Sequence, residues 1–231
     1  MECIYLKELT ADIQRIIIPN EELQHLKALR LKPHEKILAT NGRGLQAYID
    51  VISDNGKYYA NIIQIIDSSN SELNFRLGLA IGKLDNRDRY EFALEKSIEL
   101  GITDFYMINC RYSQGKEYNL ARMQSKAIAA IKQCKRSVLP NIYDVKKIEY
   151  MENYINDYDL CILADEDGTN FDLYNSKQNI LILVGPEGGF SKEEIDFLMQ
   201  IKNLKKLKLG NRRLRAETAA IISVGLASLL N

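Results

Sequence analysis

The sequence predicts a two-part α/β chain: a small strand-rich barrel over residues 1–69, then a largely parallel sheet with helices on its faces over residues 72–231. Three observations carry this. Residues 1–67 fall into short apolar runs joined by tight turns, which suits a small barrel. From Leu73 onward, strand-like runs alternate with helical periodicity, the pattern of a parallel sheet. Between the two, Asp67-Ser68-Ser69-Asn70-Ser71 is polar and free of apolar side chains, as a linker is.

In the first part, residues 13–18 read as a strand stopped by Pro19. Asn20 then caps a short helix reaching Arg30, with Leu23, Leu26 and Leu29 or Ala28 on one face. Residues 36–40 form a strand that ends at Asn41-Gly42-Arg43-Gly44. Leu45, Ala47, Ile49 and Val51 alternate with mostly polar neighbours, the mark of a half-buried strand. Asp54-Asn55-Gly56 is a strong hairpin signal, and residues 58–66 return.

In the second part, residues 73–81 read as a strand. Residues 87–100 read as a helix with Phe92, Ala93, Leu94, Ile98 and Ile102 available for burial, closed by Gly101. A strand over 105–108 and a helix over 118–135 follow. That helix spaces Leu120, Met123, Ala127, Ile131 and Cys134 at near-helical intervals and holds Arg122, Lys126 and Lys132 on its other side. Pro140 ends the unit. Residues 160–164 are a buried-type strand leading into an acidic turn, Asp165-Glu166-Asp167-Gly168.

The stretch from Asn179 to Ala220 carries the chemistry. Ile180-Leu181-Ile182-Leu183-Val184 suits a strand buried on both faces. Gly185-Pro186-Glu187-Gly188-Gly189-Phe190 follows at once. Its three glycines let the backbone come close to a ligand and offer it bare N–H groups. Strand, glycine turn and helix is the layout of ligand sites at the carboxyl edge of a parallel sheet. No Gly-Lys-Ser/Thr closes the turn, so it is not a phosphate loop. Ser191 with Glu194 forms a capping box for the next helix. A short lysine-rich strand then precedes Leu209-Gly210-Asn211-Arg212-Arg213-Leu214-Arg215-Ala216-Glu217-Thr218-Ala219.

Composition sets bounds. Charged residues are 27% and hydrophobic ones 46% of 231 residues, and the formal net charge is zero, so the total does not announce a nucleic-acid binder. The distribution does more: 111–136 holds seven basic residues and one acid, and 202–215 holds seven basic residues and none. Two basic segments fit a local phosphate-facing surface. The acids gather instead over 144–172. Cys3, Cys110, Cys134 and Cys161 are scattered, and His25 and His34 are too few for a histidine-rich site. A disulfide framework and a structural metal are therefore not expected, and a reducing, cytoplasmic compartment is. No signal peptide is visible, and residues 218–230 are too short an apolar run to span a bilayer; they suit a buried core helix.

The glycine turn and Leu209-Gly210-x-Arg212-x-Leu214-Arg215-x-Glu217-Thr218-Ala219 resemble the two signatures of the ribosomal RNA small subunit methyltransferase E family, within the SPOUT superfamily of knotted methyltransferases. Lys96-x-x-Glu99-Leu100-Gly101 and Gln133-Cys134-x-Arg136 with Pro140 are similar to further family patterns. The likeness is strong in the last 50 or so residues and loose before Leu73. Departures are Met1-Glu2-Cys3-Ile4-Tyr5 for a basic and aromatic start, and His34-Glu35 for Gly-Asp after Leu29-Arg30-Leu31. Ala129 and Lys132 stand where acids are usual, and Arg213 where an aliphatic residue is.

The resemblance implies a PUA-like RNA-binding barrel, then a SPOUT domain with a carboxy-terminal trefoil knot, working as a homodimer through the knot region. It implies S-adenosyl-L-methionine as cofactor and methylation of uridine N3 in small-subunit (16S) ribosomal RNA, bare or in the assembled subunit. Cofactor contacts would come from Val184, Gly185, Pro186, Glu187, Gly188 and Gly189, and from Leu209, Gly210, Leu214 and Thr218. Arg215 would stabilise the uracil anion, and Glu217 would either accept the N3 proton or orient Arg215. Arg111, Arg122, Gln133, Arg136 and Arg212 would face RNA. No metal and no membrane are implied. Two other readings stand: a SPOUT methyltransferase acting on another RNA such as transfer RNA, and a non-catalytic ribosome-assembly protein.

Overall fold

A five-stranded and a six-stranded sheet organise the two units of the computed structural model, which describes residues 2–28, 36–68, 72–113, 118–169 and 178–229. One unit is Met1–Glu72 with Ile128–Leu139; the other is Leu73–Ala127 with Pro140–Asn231. In sequence, residues 128–139 belong to the middle of the second half, yet they group with the first unit.

The first unit holds β1 (Cys3–Tyr5), β2 (Arg15–Ile17), α1 (Asn20–Ala28), β3 (Ile37–Thr40), β4 (Gln46–Asp54) and β5 (Lys57–Ile66). The sheet order is β1-β3-β4-β5-β2, parallel at β1–β3 and antiparallel elsewhere. Asn55 and Gly56 have φ of 50° and 76°, and Asp54 pairs with Lys57, so the Asp-Asn-Gly signal builds a two-residue hairpin turn. Ile4, Leu6, Leu9, Ile16, Ile18, Leu26 and Ile49 fill the core. The expected extension of α1 through Leu29 and Arg30, and the His34-Glu35 departure, lie outside the described residues.

Glu72 fastens the returning segment to this unit. Its Oε2 accepts from Arg136 Nε and Nη2 at 2.9 and 2.7 Å, and its Oε1 from the Ser137 and Val138 N–H groups at 2.8 and 3.1 Å. Lys132 Nζ donates to the Glu22 carboxylate at 2.8 Å.

The second unit runs β6 (Leu77–Gly82), α2 (Arg87–Glu99), β7 (Asp104–Ile108), α3 (Leu120–Cys134, whose end belongs to the first unit), β8 (Asn141–Val145), α4 (Glu152–Ile155), β9 (Leu160–Thr169), β10 (Ile180–Val184), α5 (Lys192–Leu198), β11 (Leu204–Leu207) and α6 (Ala216–Ser228). All strands pair in parallel, in the order β11-β9-β10-β6-β7-β8. Every residue of β6, β7 and β10 is buried, as unbroken apolar runs require. Side chains alternate across β10. Leu181 and Leu183 join a cluster with Tyr106, Met151, Tyr158 and Leu198, and α6 packs over β6, β9 and β10 and against α2.

Several elements differ from the sequence expectation. The strand expected at 73–81 begins at Leu77. Asn119 Oδ1 accepts the Arg122 N–H at 3.1 Å, so α3 starts at Leu120 and not Tyr118. Phe92 is 46% exposed; Tyr90, Ala93, Leu94 and Ile98 form the buried face of α2. The acidic turn 165–168 is the continuation of β9, held by pairing of Thr169 with Leu207. A Cβ on Gly168 would lie 2.7 Å from the Leu207 carbonyl carbon, so glycine serves close strand approach there. β8, a 3-10 turn at Ile148–Met151 and α4 were not expected from the sequence; each is only four or five residues long. Finally, α6 is buried on one side only: Ala220, Ser223, Val224 and Ala227 face inward, while Ile222, Leu226 and Leu229 are exposed.

The buried Asp104 ties three strands together. It accepts from Arg76 Nε at 2.7 Å, Thr103 Oγ1 at 2.7 Å and Asn141 Nδ2 at 3.2 Å. Burial pushes its pKa up, but these donors outweigh that and hold it below the usual carboxylate range. A depressed folded-state pKa contributes stability above the unfolded pKa, near about 3.9, and loses it as the pH falls through the folded value. Asp104→Ala is expected to cost about 3 kcal/mol in urea denaturation at neutral pH. It is also expected to flatten the loss of stability that the wild type shows below about pH 4.

Candidate active site

Strand order reverses between β6 and β10, so their carboxyl ends open a crevice where parallel sheets bind ligands. A cavity of about 820 Å³ opens beside it, at the carboxyl ends of β9 and β10, within the usual size of a small-molecule site. The glycine turn after β10 forms one wall. A Cβ on Gly82, at the end of β6, would lie 2.5 Å from Pro186 Cδ, so only glycine lets the turn settle against that strand. The Asp85 N–H donates to Glu187 Oε1 at 3.2 Å, tying the β6–α2 loop to the same turn. Gly189 has φ of 74° and nothing within 4 Å of its missing Cβ, and Gly210 has φ of 131° and equally open space. Both present bare backbone to their surroundings.

The second wall is the segment 209–219. Leu209, Gly210, Arg212, Arg213, Leu214, Arg215, Ala216, Glu217 and Ala219 line the cavity. Arg215 is the N-cap of α6 in extended conformation (φ −70°, ψ 153°), and no side chain caps the helix. The positive end of α6 therefore faces the same region as three arginines, an arrangement that favours an anion. Glu217 lies in the first turn and is only 8% exposed. Its partner is Arg89 of α2, with Nε 3.7 Å from Oε1; Arg89 also lines the cavity.

The third wall comes from β9: Leu163, Ala164, Asp165, Glu166 and Asp167. Lys206 Nζ lies 2.8 Å from Asp165, and Arg213 Nε 3.9 Å from Glu166. Burial raises the Asp165 pKa, but Lys206 and the Asp167 N–H outweigh it and hold the carboxyl below its ordinary range. Apolar side chains, bare backbone, a cationic wall and an acidic wall thus meet in one cavity.

Of the residues singled out in the sequence, Val184 through Gly189, Leu209, Gly210, Arg212, Leu214, Arg215 and Glu217 meet here. Thr218 is half-buried on α6 and outside the lining. Arg111 lies beside the turn, in a smaller pocket with Tyr112, Ser113 and Gly188. Arg122 pairs with the buried Glu91 of α2, and Arg136 with Glu72, so both guanidinium groups serve ion pairs inside their own units. Gln133 is exposed on α3, in the first unit. Sequence reasoning missed Arg89 and the acidic wall. Arg87 and Arg89 in the first turn of α2 were the available signal, since a helix dipole disfavours cations there. Among the described residues no cluster of three or more His, Cys, Asp and Glu side chains could hold a metal ion, and no helix is long and apolar enough to cross a membrane.

The capping box is present: Ser191 N–H donates to Glu194 Oε2 at 2.7 Å, and Glu194 N–H to Ser191 Oγ at 3.3 Å. Glu194 Oε1 also accepts the Arg111 N–H at 2.8 Å. Glu194→Ala is expected to cost about 1–2 kcal/mol in denaturant unfolding. It should also speed amide hydrogen exchange at Arg111, which Ser191→Ala should not do.

Residues 71–228 match the family described as the RNA methyltransferase domain. A ribosomal RNA small subunit methyltransferase E of Rickettsia conorii is 29% identical over 238 residues, covering 98% of this chain and 95% of that protein. One from Mesomycoplasma hyopneumoniae is 29% identical, covering 89% and 90%. A crystal structure of a ribosomal RNA small subunit methyltransferase E from Neisseria gonorrhoeae, bound to S-adenosyl methionine, matches with a TM-score of 0.87 at 25% identity, covering 100% of this chain and 98% of that one.

Proposed function

Because the chain belongs to the RNA methyltransferase domain family, that of the ribosomal RNA small subunit methyltransferases E, we propose that it methylates N3 of a uridine in small-subunit ribosomal RNA. S-adenosylmethionine is the methyl donor in this reading. The observation that carries it is the meeting of the glycine turn, the 209–219 segment and the amino end of α6 around one cavity.

The cavity's chemistry fits the cofactor. Leu209, Leu214 and Val184 offer an apolar slot for an adenine, and Gly189 and Gly210 leave backbone open to polar edges. The carboxylates of β9 suit a ligand that carries positive charge. When bound, S-adenosylmethionine supplies a methyl group on a positively charged sulfur.

The chain's own residues must do the rest. Uracil N3 carries a proton and becomes a good nucleophile only when that proton leaves. Glu217 takes it, and Arg89 holds the carboxylate in place from the neighbouring helix. Arg215, at the positive end of α6, stabilises the charge that spreads onto the uracil oxygens. Arg212 and Arg111 meet RNA phosphates. Arg122 and Arg136 are structural in this account, given their partners Glu91 and Glu72. The first unit acts as a PUA-like RNA-binding barrel, the last strands form the family's knot, and the substrate is cytoplasmic.

The exposed stripe of Ile222 and Leu226 on α6 and Leu229 at its carboxyl cap, spaced four and three residues apart, forms a homodimer interface. Leu226→Glu is expected to halve the mass measured by light scattering; an unchanged mass would remove α6 from the interface.

The reaction is tested with labelled S-adenosylmethionine and small ribosomal subunits or naked ribosomal RNA from cells lacking the enzyme. Mass spectrometry of the labelled nucleoside should give 3-methyluridine. Arg215→Ala and Glu217→Gln should each lower kcat by about 100-fold or more while cofactor binding persists. Another methylated nucleoside would overturn the N3 assignment, and label only in transfer RNA would move the substrate.

A further inference from the structure

The loop after β7 carries an aromatic side chain that nothing in the reaction so far uses. Tyr112 is 51% exposed, a large ring left at the surface. It belongs to a pocket of about 450 Å³ with Arg111, Ser113 and Gly188. Gly188 also lines the main cavity, so the two concavities meet at one residue of the glycine turn.

The loop's first residues, 110–113, are braced by hydrogen bonds. Ser113 Oγ accepts the Cys110 N–H at 3.1 Å, and the Ser113 N–H donates to the Cys110 carbonyl at 3.0 Å, closing a tight turn. The Arg111 N–H is held by Glu194 at 2.8 Å. A Cβ on Gly188 would sit 2.8 Å from Tyr112 Cβ, so the absence of a side chain there lets Tyr112 lie directly on the turn. These bonds use the backbone of Arg111 and leave its guanidinium at the surface, where its charge also acts on Glu193.

We propose that Tyr112 and Arg111 form a subsite for an unpaired nucleotide of the RNA substrate flanking the one that reacts, with the base stacked on the Tyr112 ring and a phosphate at Arg111. An exposed ring beside a cation, both on a braced backbone, is how single-stranded RNA is held: the ring meets the flat base, which carries no charge, and the cation meets the backbone. The shared boundary at Gly188 sets this subsite next to the main cavity, as a neighbouring nucleotide requires. The proposal rests on the RNA methyltransferase reading and extends it to a residue outside the two signatures.

The test measures binding of a short fluorescein-labelled single-stranded oligouridylate by anisotropy, and methyl transfer to small ribosomal subunits. Tyr112→Ala should weaken oligouridylate binding roughly tenfold or more. It should raise KM for the subunits while leaving kcat at saturation and S-adenosylmethionine binding unchanged. Tyr112→Phe should behave as the wild type, since the ring and not the hydroxyl stacks. Arg111→Ala should reduce the salt dependence of binding by about one phosphate contact. Oligouridylate binding that is unaltered in Tyr112→Ala, or equally weakened in Tyr112→Phe, would overturn the subsite. If the wild type binds oligouridylate through Tyr112 yet transfers no methyl group, the subsite stands and the reaction assignment falls. If it transfers methyl groups and Tyr112→Ala binds as tightly, the reverse holds.

Discussion

Everything at the site depends on one close contact, between Gly82 at the end of β6 and Pro186 in the turn after β10. The two strands are neighbours in register, Val184 opposite Ile81, so their exits must share one small space. Any side chain on residue 82 would collide with the proline ring and its nitrogen. With glycine there, the turn folds down onto the sheet edge and the Glu187 carboxylate reaches the Asp85 N–H. The same turn meets Tyr112 through Gly188 and precedes the Ser191 cap of α5. Loops from three strands are thereby fixed by sterics and a few hydrogen bonds, and the glycine turn they hold forms one wall of the cavity.

Charge is arranged around that cavity in a way the zero net charge conceals. Arginines and the amino end of α6 stand on one side, and the carboxylates of β9 on the other. Pairing sorts the remaining cations. Arg122, Lys126 and Arg136 are neutralised by Glu91, Glu95 and Glu72, whereas Arg212 and Arg215 line the cavity. Glu217 illustrates the logic: its place in the first turn of α6 is favourable for the helix dipole, and Arg89 then fixes which way it points.

The buried strands and the glycine turn were legible because their signals are local. Five apolar residues bounded by glycine admit few conformations, and a capping box specifies a helix start from four residues. The same holds for Asp54-Asn55-Gly56. What was not legible depends on tertiary partners. Nothing near Glu217 in sequence points to Arg89, more than a hundred residues away. The acidic run 165–167 reads as a turn until β11 pairs on either side of it, Lys206 with Leu163 and Leu207 with Thr169. Phe92 reads as core by composition, and only the registry of α2 on the sheet, set by Tyr90, Leu94 and Ile98, turns it outward. The return of residues 128–139 to the first unit rests on Glu72, whose five hydrogen bonds to Arg136, Ser137 and Val138 no periodicity could reveal.

In the reading proposed above, the glycine turn and the 209–219 segment jointly hold the methyl donor, with Arg215 and Glu217 at the reacting end. The measurement that tests this most directly is a crystal structure of the protein soaked with S-adenosylmethionine. Density is expected in the cavity, with the adenine against Leu209 and Leu214 and the methyl group directed toward the amino end of α6. Density elsewhere on the protein, or a methyl group directed toward Asp165 and Glu166, would contradict it.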